Sequence, residues 1–359
     1  MTVDFIKDKK LHFIIGIGRS GTTILTKLLN TFQDVHCLPE ANFLVFFLNQ
    51  YKNKQSFSST EVNLLFDQIK LYALSHPWVG WEFNLSEVKS ECLEVVKTNT
   101  HITYQELCNR IYQNFKVIGV DKVNASVLID KNPSYTIFVN KINQSFPESK
   151  FIWIVRDYRA NILSRKQSIF LKSANIAYNA IRWLLYNREA YEFYVKNKHK
   201  VLLIKYEDLV LNYEDVELKI IQFLNITPSK ELNLNEGQQK VNLDEFKMAD
   251  KFKNRFLKKY SDLNKTLNSD RLSVWKEQLT EKEIEICDVL CSSVAKKIGY
   301  DSISNLSLFK KALIVISNFV PICLGYFDIF KDKLLYYVFP SLKIKRLHKK
   351  YIELGFIEK

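Results

Sequence analysis

The segment Gly16-Ile17-Gly18-Arg19-Ser20-Gly21-Thr22-Thr23 has the composition of an anion cradle. Its glycines allow a tight turn and close approach of the backbone to a ligand, its hydroxyls and amides donate hydrogen bonds, and Arg19 adds a permanent cation. Apolar Leu11–Ile15 precedes it, and Ile24, Leu25, Leu28 and Leu29 follow at helical spacing. The order is strand, loop, helix N-terminus, an arrangement whose amides and dipole hold phosphate groups. Three further polar residues follow apolar strands directly: Lys131 after Val127–Asp130, Arg156 after Lys150–Val155, and Tyr206 after Val201–Ile204 and Lys205.

Bringing these residues to one rim requires parallel strands. Apolar strands alternate with helical stretches, among them Tyr135–Asn143, Ala160–Arg165, Ile176–Lys196, Val216–Leu224 and Glu281–Ile298. The alternation predicts an α/β fold, a P-loop-like three-layer sandwich whose central parallel sheet is flanked by helices. Ligands of such sheets bind at the carboxyl ends of the strands. The expected organisation is one domain over residues 1–301 with an aromatic, helical insert over about 41–115 and a polar lid over about 228–274, then an apolar and basic C-terminal helical appendage over 302–359. Ala312–Phe327 is apolar, shorter than a membrane span, and interrupted by Asn318, Pro321 and Gly325. Two placements fit it equally: lying on a membrane surface as an amphipathic appendage, or packing on the body of the protein.

The 359 residues, 47% hydrophobic and 25% charged, are those of a folded protein with a sizeable core. The net charge of +13 suits a solvated basic surface, an anionic ligand or an anionic membrane. Lys331–Lys359 alone carries eight basic and three acidic residues. Basic and aromatic residues are not interleaved in the manner of nucleic-acid modules, so no nucleic-acid partner is expected. The six histidines show no metal-ligand spacing, and no metal is expected. The six cysteines form no CxxC pair, and the charged Met1–Lys10 does not read as a signal peptide; a cytoplasmic chain with reduced thiols is the expectation.

The loop has the Gly16-x-x-x-x-Gly21 spacing of a phosphate loop, but Thr22 stands where a nucleoside-triphosphatase places its Lys. The positive charge sits inside the loop, at Arg19. Asp130 and Asp157 are the nearest candidates for a magnesium ligand, and each neighbours a cation. A nucleotide with fewer phosphates, read by Arg, hydroxyls and amides, fits better than a metal-bound triphosphate.

With these residues in view, the chain resembles the sulfotransferases that use 3′-phosphoadenosine 5′-phosphosulfate (PAPS), most of all the tyrosylprotein and carbohydrate branch. The RSGTT core of Gly16–Thr23 is similar to that family's 5′-phosphosulfate loop. Phe151–Ser164 is similar to its 3′-phosphate motif, with an Arg after the strand and a Ser eight residues on, here Arg156 and Ser164. Asp130-Lys131-Asn132-Pro133, Lys205-Tyr206-Glu207-Asp208-Leu209 and Leu272-Ser273-Val274-Trp275 extend the resemblance over about residues 10 to 300.

The resemblance implies an enzyme with PAPS as co-substrate and no metal. Its nucleotide contacts would come from Gly18, Arg19, Ser20, Gly21, Thr22, Thr23, Arg156 and Ser164, with Tyr206, Arg271 and Ser273 as weaker ones. Glu40 would be the base, with His36 as rival because cytosolic small-molecule sulfotransferases use a His. Lys131 and Arg19 would stabilise the transition state. The family's basic residue four after the 3′-motif Ser is Ser168 here, with Arg165 and Lys166 nearby, and the Lys before the late Trp is Val274. The acceptor would be a hydroxyl of a lipophilic, sterol- or lipid-like molecule or of a glycan; Phe43, Phe46, Phe47, Tyr51, Trp78, Trp81 and Phe83 fall in the segment that usually builds the acceptor side. Peripheral contact of the C-terminal tail with an anionic membrane goes with the lipophilic choice. A nucleotide kinase or P-loop NTPase, and a non-catalytic nucleotide-binding, membrane-associated protein, are the competing classes.

Overall fold

A computed structural model describes residues 9–38, 40, 43–74, 81–82, 85–98, 102–114, 116–117, 125–168, 173–228 and 269–353. Strand β1 (Lys10–Ile15) lies at the centre of a five-stranded sheet, with β5 (Val127–Lys131) and β2 (Val35–Leu38) on one side and β6 (Phe151–Val155) and β7 (Val201–Lys205) on the other. Every pairing in it is parallel. All carboxyl ends therefore share one edge, as the sequence predicts.

The three inner strands are apolar on both faces because both are covered. Ile14, Ile129, Ile152 and Ile154 pack with α1 (Thr22–Leu29) and α10 (Tyr213–Leu224). Phe13, Leu128, Trp153 and Val155 pack on the opposite side, with α5 (Tyr104–Gln113), α7 (Tyr158–Lys166), α8 (Ile176–Lys196) and α13 (Glu281–Ala295). The alternation of adjacent residues between two cores is the pleat of the strand expressed as three layers. A second, antiparallel pair, β3 (Trp81–Glu82) with β4 (Lys116–Val117), was not foreseen from the sequence; at two residues each, the strands are too short to leave a periodic pattern.

In the insert, α2 (Phe43–Tyr51), α3 (Ser59–Leu74) and α4 (Leu85–Thr98) precede α5. Phe43, Phe46, Phe47 and Tyr51 are buried core residues, and Trp78, Trp81 and Phe83 have side chains outside the described residues. The helix expected over Tyr135–Asn143 is split: a 3-10 turn spans Pro133–Phe138 and α6 spans Val139–Ser145. Pro133 fixes the entry, the Asn132 side chain accepts from Ser134 N, and the tighter turn brings the Thr136 hydroxyl 2.9 Å from Pro133 O. Of the expected lid, residues 229–268 lie outside the described residues; its end forms two short helices, α11 (Asp270–Ser273) and α12 (Trp275–Gln278).

The C-terminal segment forms α14 (Leu308–Ser317), α15 (Phe319–Tyr337) and α16 (Pro340–Glu353). Of the two expected placements, packing on the body holds for α15. Gly325 lies against Ile181 of α8, where an added Cβ would sit 2.9 Å from the Ile181 Cβ, and the Phe46 and Tyr336 rings stack at 4.9 Å. Arg182 of α8 meets Asp328 at 2.8 Å and Asp332 at 3.7 Å, and Tyr178 donates to Asp328 at 2.6 Å.

One carboxyl sits inside the core. Asp130 is fully buried, accepts from Tyr112 OH at 2.5 Å, and has its Oδ1 without a hydrogen-bond partner. Burial raises its pKa from 3.8 to about 7. The folded state thus binds a proton that the unfolded chain releases, so this group's stabilisation is complete below pH 3.8 and is lost as pH rises to about 7. Asp130→Asn should remove that loss: relative to wild type its stability should climb across this window and level off above it, by up to about 4 kcal/mol at roughly 1.4 kcal/mol per unit. Urea unfolding at a series of pH values reads the effect, and parallel stability curves for the two proteins would refute it.

Candidate active site

The loop leaving β1 is tied to the 3-10 turn after β5 and to α7. Gly16 N donates to Thr136 Oγ1 at 2.7 Å. Asn161 of α7 donates to Gly18 O at 3.2 Å and to Ser20 Oγ at 3.0 Å. Arg19 has φ +76°, a left-handed conformation that costs a non-glycine residue roughly 1–3 kcal/mol. That twist aims its side chain at α7, where Nε donates to Ser164 Oγ at 3.0 Å. Gly21 has φ +94°, and an added Cβ would lie 2.3 Å from the Tyr206 ring. Helix α1 then starts at Thr22 with no side-chain cap, so the amides of its first turn are left for an external acceptor.

Arg156, the first residue past β6, is nearly buried. Its Nη2 donates to Arg271 O at 2.7 Å, its guanidinium lies 4.5 Å from the centre of the Tyr206 ring, and its carbonyl accepts from Trp183 Nε1 at 3.2 Å. Its Nε is buried without a hydrogen-bond partner. Desolvation lowers the pKa of both Arg156 and Arg19; for Arg19 the neighbouring Arg156 and Arg271 add to it. Three cations are crowded together with no carboxylate in ion-pair distance of any of them among the described residues. This is a field arranged for an anionic ligand.

At the ends of β5 and β2 a second pair forms. Lys131 Nζ is 2.7 Å from Glu40 Oε1, across 91 residues of sequence. The lysine is the more buried of the two, and the carboxylate is partly open to solvent. Of the two candidate bases, Glu40 lies past the strand end beside Lys131, whereas His36 is buried within β2.

The remaining expected contacts fall as follows. Ser20 and Thr22 are buried in the loop, and Gly18 and Thr23 are partly exposed. Tyr206 is buried beneath Gly21 and Arg156, where it supports both. Arg271 presents its carbonyl to Arg156, and Ser273 is exposed on the same short helix, with its hydroxyl 3.5 Å from Asp270 O. Arg165 is buried and donates to Asn179 at 3.1 Å. Lys166 pairs with Glu283 at 2.6 Å.

The sequence reading missed Asn161, Thr136 and Glu207. Glu207 accepts from Asp157 N at 3.0 Å and from Tyr300 OH at 2.6 Å, fixing the turn between β6 and α7. Asn161 did leave a signal: a lone amide among Ala160, Ile162 and Leu163, one helical turn before Ser164 and therefore on its face.

A family model described as the sulfotransferase family matches residues 12–230. The chain belongs to that family. It is 22% identical over 305 residues to a putative protein-tyrosine sulfotransferase of Caenorhabditis briggsae, covering 83% of this chain and 91% of the relative. It is 26% identical over 230 residues to protein-tyrosine sulfotransferase 1 of Danio rerio, covering 61% of this chain and 54% of the relative. Among solved structures, the sulfotransferase domain of the Synechococcus PCC 7002 olefin synthase superposes with a TM-score of 0.53 at 19% identity, over 83% of this chain and 97% of that one. The sulfotransferase domain of the curacin biosynthetic pathway gives 0.50 at 18%, over 82% and 98%. These likenesses establish the fold. The family implies PAPS as sulfonate donor, and the uncapped α1, the three crowded arginines and the unsatisfied Arg156 Nε fit a nucleotide with separate anionic groups.

Asn161 is the tie most easily cut without disturbing charge. Asn161→Ala should weaken binding of adenosine 3′,5′-bisphosphate by about thirtyfold, since two hydrogen bonds to the loop are worth about 1 kcal/mol each. Titration calorimetry measures this, and an unchanged dissociation constant would show that the loop holds its shape without them.

Proposed function

We propose that this chain transfers the sulfonate of PAPS to the hydroxyl of a lipophilic acceptor and releases adenosine 3′,5′-bisphosphate. The observation that carries the reading is the Glu40–Lys131 pair at 2.7 Å, on the same strand-end rim as the Arg19–Ser164 contact. A carboxylate and a cation on that rim support the reading, in which they act on a donor held in the cradle.

In this reading Arg156 and Ser164 bind the 3′-phosphate, for which the planar guanidinium offers two parallel donors. The loop amides, Ser20, Thr22 and Thr23 hold the 5′-phosphosulfate. Glu40 accepts the acceptor's hydroxyl proton as the oxygen–sulfur bond forms and the bond from sulfur to the bridging oxygen of the 5′-phosphate breaks. Sulfuryl transfer resembles phosphoryl transfer, where the protein chiefly positions reactants and meets developing charge. Lys131 and Arg19 supply that charge at the departing oxygen.

Support for a lipophilic acceptor comes from the C-terminal helices. Helix α15, rich in exposed apolar side chains, packs through Tyr336 onto Phe46 of α2, the helix that begins three residues after Glu40. A second reading, transfer to a protein tyrosine, is favoured by the likeness to the protein-tyrosine sulfotransferases of Caenorhabditis briggsae and Danio rerio.

Three measurements follow. Glu40→Gln should lower turnover by at least about a hundredfold, in the range of a lost general base, and leave adenosine 3′,5′-bisphosphate binding intact; undiminished transfer would remove Glu40 from the role. A radiolabelled sulfonate-transfer screen over sterols, long-chain alcohols, oligosaccharides and tyrosine peptides should favour the first two, and preference for the peptides would establish the second reading. Calorimetry should show adenosine 3′,5′-bisphosphate binding without magnesium, and a preference for magnesium-ATP would overturn the donor assignment.

A further inference from the structure

Helix α15 buries charge as well as apolar surface and still leaves apolar side chains outside. The face against the body carries Gly325, Ile329, Leu335 and Tyr336 together with Asp328 and Asp332, the two carboxylates locked to Arg182 and Tyr178. The face turned outward is apolar: Val320 is 66% exposed, Phe327 60% and Phe330 63%. A helix resting on a water-soluble body normally hides its apolar stripe and exposes its charge.

Helix α14 shows the same imbalance more strongly. None of its residues is buried, although it reads LFKKALIVIS; Leu308 is 84% exposed and Ile316 68%. Across the break at Asn318, Phe319 is 63% exposed. Ala312–Phe327 contains no charged residue, so the exposed surface is continuous over the end of one helix and the start of the next. Isolated exposed apolar residues are ordinary, but a contiguous patch of this kind marks an interaction surface. The matched family region ends at residue 230, so this surface lies outside it.

We propose that α14 and the outer face of α15 are a docking surface for an anionic lipid bilayer, lying in its interface without crossing it. No single helix among the described residues is long and apolar enough to cross; α14 and α15 reach that length only together, and they meet at 66°. Ten residues of α14 span about 15 Å, half of a hydrocarbon core about 30 Å thick. The ion pairs of Arg182 hold α15 against the body, which leaves one face available for lipid.

Charge selects the bilayer over a second copy of the chain. Exposed Lys311 lies at one end of the apolar stretch, beside Lys310, which is paired with Glu285, and exposed Lys345 and Arg346 lie on α16 beyond the other. Anionic headgroups complement both ends. A second copy, itself at +13, would set these cations against its own. The surface is independent of the sulfonate chemistry and stands or falls without it.

The test is flotation of the full chain with vesicles of phosphatidylcholine and phosphatidylglycerol in equal parts, and with phosphatidylcholine alone. Wild type should float with the mixed vesicles and much less with the neutral ones. Ile316→Asp with Phe319→Asp, both on exposed positions, should abolish flotation. Lys345→Gln and Arg346→Gln should each reduce partitioning onto the mixed vesicles by about fivefold. Unchanged adenosine 3′,5′-bisphosphate binding in each variant verifies that the fold is intact. Wild type remaining with the soluble fraction, or the double Asp variant floating as wild type does, would overturn the proposal. So would a lipid-free dimer, seen by sedimentation, that the double Asp variant dissolves.

Discussion

The constraint on which the anion cradle depends is that its arginines are held by partners that do not neutralise them. Arg156 is gripped by a carbonyl and the face of a tyrosine, Arg19 by a serine hydroxyl, and Arg165 by an asparagine amide. Structural arginines of the same molecule are treated differently. Arg159 is paired with Asp157 at 2.7 Å, and Arg182 with Asp328 at 2.8 Å. A neutral acceptor orients a guanidinium and leaves its field for an incoming anion, whereas a carboxylate uses that field up. The contrast separates the arginines of the candidate site and its surroundings from Arg159 and Arg182 by their partners.

Holding like charges together in this way is costly, and the neighbouring structure shows how the cost is met. The parallel sheet brings strand ends together at fixed spacing, and the residues just past β1 and β6 inherit that spacing. Asn161, Thr136 and Glu207 then tie loop, turn and helix to one another with neutral or remote groups. The strained backbone of Arg19 is maintained by the same ties. These three act on the loop, the turn and the helix that they join.

The appendage applies the opposite rule. There, charges are sequestered between α8 and α15 and apolar side chains are turned outward. Burying a paired charge is tolerable when every oxygen is met, and Asp328 receives Arg182, Tyr178 and Lys331. The arrangement fixes an exposed apolar surface to the sheet-bearing body of the protein. The apolar run was visible in the sequence, but its orientation was not, because composition does not say which face of a helix meets a neighbour.

Much of the fold was legible because it rests on local chemistry. The apolar runs of β1, β5, β6 and β7, the glycine loop before α1 and the helical spacing of α8 and α13 are patterns of adjacent residues, and they give a parallel α/β sheet with a phosphate-binding rim. Thr22 in place of a Walker lysine, and Arg156 with Ser164 following a second strand, already narrowed the ligand, and the family match agrees with that narrowing. What the sequence could not decide was pairing at a distance. The strand order β2-β5-β1-β6-β7, the meeting of Glu40 with Lys131 across 91 residues, and the bond between Arg19 and Ser164 across 145 arise only when non-adjacent strands are laid side by side. Local patterns specify elements and their faces; which faces and which ends meet is set by burial over the whole chain, and the site exists only at that level.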